Sequence, residues 1–139
     1  MIIHTGGCRC GAIRFTASSD PTYASYCHCS DCRRASGAPV AAFVGFNAED
    51  VSFESETGAT YGMAPVSRSF CSTCGAPIAY RDERLADQIF FMIGAMDAPE
   101  NYPPRVHGYV REELPFFHLD DGLPRLETNT APRPSGENL

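Results

Sequence analysis

Polar and apolar residues alternate in several short stretches of this chain and run together in two others. Ile13 and Phe15 stand between Ala12, Arg14 and Thr16, and Val51 and Phe53 repeat the same two-residue period, as half-buried strands do. Residues 66–70, VSRSF, extend as a strand straight into CSTCG, and residues 78–80 read as the return strand of a hairpin. Residues 39–46, PVAAFVGF, are apolar and β-prone, which predicts a buried strand, and 88–93, QIFFMI, a continuous apolar run with β-branched and aromatic side chains, predicts another strand. Residues 23–26 predict a short extended segment and 105–110 a weakly alternating one. Ser18, Ser19, Asp20 and Pro21 predict a turn, Gly58 and Gly62 punctuate the middle of the chain, and a brief helical turn is expected at 33–37. About seven short strands with little or no helix predict an all-β fold, a sandwich of short antiparallel strands.

A length of 139 residues suits one domain, drawn here as 1–128, followed by a tail at 129–139 whose Pro, Ser, Gly, Asn and Thr content predicts fraying. The start of the chain has no basic segment leading into an apolar one, and the run at 89–93 is far too short to cross a bilayer, so a cytoplasmic protein with no membrane partner is expected. Formal charge is −6, and the 11 basic residues are scattered. Nucleic-acid binding depends on clustered cations that displace counterions, so no nucleic-acid partner is expected. A small polar partner fits better.

The cysteines change the picture most. There are 7, an odd number, and in a reducing compartment that disfavours a disulfide framework. They fall in three tight groups: Cys8 and Cys10, then Cys27, Cys29 and Cys32, then Cys71 and Cys74. Closely spaced cysteines let one turn aim two sulfurs at one ion, the geometry zinc prefers. The first and last groups both end in Cys-Gly, and glycine suits a turn whose amides fold back toward sulfur. Pairing those two groups makes a closed four-cysteine site of the structural kind. Cys27, Cys29 and Cys32 are then left with one coordination position open, as at catalytic metals. Filling both sites with zinc would take the formal charge to about −9. If residues 27–29 are extended, His28 points away from both neighbouring sulfurs and supports the site from outside or simply packs. Asp31 reads as a turn residue or as an outer partner of the metal ligands. A dithiol redox pair at Cys71 and Cys74 lacks the strand-to-helix setting of that chemistry. An iron–sulfur cluster is compatible with the ligand type.

The chain resembles the glutathione-dependent formaldehyde-activating family, whose β-rich, zinc-binding fold is similar to Mss4. The resemblance is carried by GGCRCG at 6–11, CHCSDCRRASGAP at 27–39, FCSTCGAPI at 70–78, IGAMDAPENYPPRVH at 93–107 and LPFFHLDDGLPRLE at 114–127. It implies a structural zinc on Cys8, Cys10, Cys71 and Cys74 and a second zinc, with a catalytic role, on Cys27, Cys29 and Cys32. It also implies a carbon–sulfur lyase-like activity that forms or cleaves thiol–aldehyde adducts such as S-hydroxymethylglutathione. The expected partners are then a small thiol such as glutathione and an aldehyde. The alternative is a non-catalytic zinc module that mediates protein interaction. Arg33 and Arg34 are candidates for binding carboxylates or a plain solvated patch, His107 and His118 for proton transfer or a structural hydrogen bond, and Tyr109, Phe116 and Phe117 for pocket walls or core packing.

Overall fold

The computed structural model describes residues 2–130. In chain order its strands are β1 (His4–Gly7), β2 (Arg14–Ala17), β3 (Tyr23–Cys27), β4 (Ala41–Asn47), β5 (Val51–Phe53), β6 (Ala59–Tyr61), β7 (Val66–Phe70), β8 (Pro77–Asp82), β9 (Gln88–Met92) and β10 (His107–Gly108). They form a three-stranded sheet, β1-β2-β5, and a seven-stranded sheet, β10-β3-β4-β9-β8-β7-β6. Every neighbouring pair is antiparallel except β10 with β3. The expected all-β architecture holds. No helix of the described residues is long and apolar enough to cross a membrane.

The two sheets meet across an aromatic core. Phe15 on β2 stacks on Phe91 of β9 with ring centroids 3.8 Å apart and planes 4° from parallel. Phe46, Val44, Ile78 and Ile89 are completely buried around them. Alternation then sends the other residues of β4 and β9 to the opposite face, where Phe43 and Phe90 form a second, smaller cluster with Ala41 and Cys32. Both faces of the central strands are thus apolar, which is why their sequences read as unbroken hydrophobic runs.

Three details depart from the sequence expectation. β1 and β6 lie in stretches without a strand pattern. The helix, α1, spans Ser30–Ser36 and starts earlier than the turn expected at 33–37, because the Cys29 side chain caps it by accepting from the Cys32 amide. The segment at 105–110 pairs over only two residues, and in parallel, since Tyr109 adopts φ 56 and breaks the extended chain. Of the stretch expected to fray, Asn129 and Thr130 line the cleft described below, and the remainder lies outside the described residues.

Candidate functional site

The first cysteine cluster forms where a turn from each sheet converges. Cys8 and Cys10 occupy the β1–β2 connection, Cys71 and Cys74 the β7–β8 connection, and their four sulfurs lie within 4.8 Å of one another. The Cys10 sulfur is 3.6 Å from that of Cys8 and 3.8 Å from that of Cys71. Sulfurs placed about 2.3 Å from a tetrahedral ion stand about 3.8 Å apart, so the spacing fits zinc. Backbone amides aim at the sulfurs in both turns: Ile13 N–H donates to Cys8 Sγ at 3.2 Å and Cys74 N–H to Cys71 Sγ at 3.4 Å. The Ile13 amide, working against burial, draws the Cys8 thiol down to about 6, toward the thiolate a metal needs. Gly11 and Gly75 take the expected left-handed conformation, φ 85 and φ 78. Nothing lies within 4 Å of a Cβ added at Gly75, so Gly75→Ala isolates the backbone cost. It is expected to lower stability by about 1 kcal/mol in chemical denaturation, with the metal content unchanged.

The second cluster joins a strand to a helix. Cys27 ends β3, Cys29 caps α1 and Cys32 lies within that helix, again with all sulfurs within 4.8 Å. The turn needs no glycine after Cys32 because the chain continues as helix until Gly37 ends it. Cys27 and Cys29 sulfurs are 3.4 Å apart, and the Cys32 amide donates to Cys29 Sγ at 3.2 Å. Hydrogen bonds from the Cys27 and Cys32 thiols, with that amide, hold Cys29 far below an ordinary thiol despite its burial. No further histidine, cysteine or carboxylate of the described residues joins the trio. Three soft sulfur donors with a fourth side open to a cleft fit zinc with an exchangeable ligand.

His28 faces the other way, as alternation predicts. It is 1% exposed and its Nε2 lies 2.9 Å from His107 Nδ1, while His107 Nε2 lies 2.8 Å from Asp121. The carboxylate fixes the tautomers: His107 Nε2–H donates to Asp121, and His28 Nε2–H donates to His107 Nδ1. Burial first, with His107 close by, pulls His28 below its ordinary value. The chain of bonds ties the Cys27–Cys29 segment to the loop carrying Asp121.

Arg68 was not visible as a site residue from sequence. It is buried in the middle of β7, and its guanidinium donates to Asp31 Oδ2 at 2.7 Å and to Cys32 Sγ at 3.5 Å while resting 4.9 Å over the Tyr80 ring. Burial opposes the charge, but Cys32 and Asp31 outweigh it and raise the pKa above the ordinary arginine value. The available signal was its position in phase with Val66 and Phe70, an arginine on the inward side of a strand. Arg68 thus brings one positive charge to a ligand set that would otherwise be net negative. Arg68→Met keeps much of the packing on Tyr80 and removes that charge. We expect metal affinity at the trio to fall by about 10- to 100-fold in chelator competition, with the quartet metal unaffected.

The trio forms one wall of a cleft of about 460 Å³. Phe43, Phe90, Tyr80 and Tyr23 line it from the second face of the large sheet, and Tyr109, Asn129 and Thr130 come from the C-terminal segment. Tyr109 therefore lines the cleft as expected, whereas Phe116 is 78% exposed and neither it nor Phe117 reaches the lining. Arg33 and Arg34 are also absent from it. His107 is engaged with His28 and Asp121, and His118 lies at the surface 3.9 Å from Glu113.

The sequence profile of the family described as glutathione-dependent formaldehyde-activating enzyme matches residues 3–112. The chain belongs to that family. All seven cysteines and Arg68 fall inside the matched residues, while Asp121 lies beyond them. A protein of Halomonas elongata, named as a glutathione-dependent formaldehyde-activating enzyme by inference only, is 30% identical over 118 residues, covering 73% of this chain and 71% of that protein. A crystal structure of a Rhodobacter sphaeroides protein superposes with a TM-score of 0.55 at 19% identity, covering 88% of this chain and 98% of the other, which establishes likeness of fold.

Proposed function

We propose that this family member is a zinc-dependent carbon–sulfur lyase-like enzyme that makes and breaks thiol–aldehyde adducts, with S-hydroxymethylglutathione as the type adduct. The observation that carries the reading is the trio of Cys27, Cys29 and Cys32, with no fourth protein ligand among the described residues, in the wall of a cleft. Zinc held by these three sulfurs would supply a position where a substrate thiol ionises at neutral pH. In the addition, the substrate sulfur donates an electron pair to the carbonyl carbon and a C–S bond forms. The carbonyl π pair moves to oxygen, which takes up one proton, matching the one the thiol released. The reverse step cleaves the same bond.

The remaining tasks fall to the chain. Arg68, anchored by Asp31, offsets the negative charge that builds up as thiolates gather beside Cys32. Glu112 accepts from the Ser30 amide at 3.1 Å and helps fix the first turn of α1, so the helix carrying Cys32 is held from outside. The His28–His107–Asp121 chain does the same for the strand end carrying Cys27. The cleft walls hold the two reactants in contact. Cys8, Cys10, Cys71 and Cys74 have an architectural part in this reading. NMR exchange spectroscopy of formaldehyde, glutathione and their adduct tests it: the protein is expected to speed the interconversion above the buffer rate, and an unchanged rate would remove the proposal.

A further inference from the structure

The cleft beside the trio is much larger than formaldehyde requires, and the charged side chains of its described lining are mostly acidic. Its volume of about 460 Å³ is that of roughly fifteen water molecules, whereas formaldehyde brings only two heavy atoms. The size and lining match those of sites that take an organic body on aromatic and aliphatic walls. Tyr23, Phe43, Leu85 and Phe90 supply such walls.

Cysteines aside, the charged residues in the lining, among the described residues, are Asp31, Glu112 and Arg68. Arg68 is buried and already bonded to Asp31 and Cys32. Glutathione has two carboxylates and one ammonium. Its carboxylates would therefore meet two acidic side chains and the cysteine cluster, and Arg68, the cation of the described lining, is already paired. Desolvating them there is unfavourable. The same walls favour an uncharged ring or branched alkyl group.

We propose that the cleft binds an apolar body, aryl or branched alkyl, carried by either the thiol or the carbonyl half of the adduct, and that this body determines substrate preference. The proposal rests on the adduct chemistry above for its reaction, but its binding claim can be tested separately.

Calorimetric titration of the metal-loaded protein compares benzyl mercaptan with glutathione as thiols, and 3-phenylpropanal with formaldehyde as carbonyl partners. Burying a ring predicts affinity about 10- to 100-fold higher for at least one apolar member than for its polar counterpart. The thiol pair and the carbonyl pair show which half carries the body. Exchange spectroscopy of the crossed pairs should rank rates in the same order. Leu85→Arg, checked for folding by its thermal transition, puts a cation in the lining and should narrow or reverse the preference toward glutathione. If glutathione binds as tightly as benzyl mercaptan and formaldehyde as tightly as 3-phenylpropanal, the inference is overturned. If no pair exchanges faster than in buffer, the adduct chemistry falls, and the affinity order alone still decides whether the site takes an apolar ligand.

Discussion

Cys71→Ser is expected to abolish cooperative folding, so that the thermal transition near the wild-type temperature disappears from circular dichroism and calorimetry. Cys71 is fully buried in the main core, and its sulfur accepts the Cys74 amide and lies 3.8 Å from that of Cys10. The quartet it completes ties the β1–β2 turn of one sheet to the β7–β8 turn of the other. A structural zinc contributes on the order of 10 kcal/mol to folding at neutral pH. A domain of this size has a net stability of about 5–15 kcal/mol, so losing that contribution leaves little or nothing. Serine differs from cysteine by a single atom, and packing alone does not account for a collapse of that size. Cys10→Ser separates the two causes, because Cys10 is exposed. An exposed thiol outside any site would be nearly neutral to replace. As a metal ligand it should reproduce the Cys71→Ser result.

Cys29→Ser has the opposite signature: the fold persists and the chemistry goes. Cys29 caps α1 through its sulfur, and serine is among the better residues at such a position. Stability should therefore change by no more than about 1 kcal/mol. In the proposed reading a metal at the trio would lose one of three protein ligands, and the variant should purify with metal at the quartet alone. Adduct interconversion should fall to the buffer rate, a complete loss in a folded protein. A Cys29→Ser protein that retained both metals and full exchange activity would take the reacting position away from the trio.

The sequence was informative where one local property was enough. Alternation at Ile13 and Phe15 pointed to β2, and the unbroken runs pointed to a buried strand at β4 and a strand at β9, although not to the fact that one face of each borders the cleft. The Cys-Gly turns separated quartet from trio before any contact was known, because a left-handed glycine is a requirement of the turn itself. Alternation also turned His28 away from the sulfurs correctly. What could not be read depends on distant pairing. Asp121 meets His107 only because its loop folds back against β10, and the expected strand at 105–110 is cut short by the left-handed Tyr109. Arg68 finds Asp31 and Cys32 across the large sheet, so its role follows from register and not from its neighbours in sequence. α1 begins at Ser30 because a sulfur takes the place of the usual hydroxyl or carboxylate cap, a signal easily read as a turn.

The most direct test of the account is cadmium-113 NMR of the protein reconstituted with that metal, titrated with 2-mercaptoethanol, a thiol too small to depend on the cleft walls. Two resonances are expected: one, absent from Cys29→Ser, should shift as thiol is added, and the other should stay where it is. A single resonance, or two that both move or both stay fixed, would contradict a closed quartet beside an open trio.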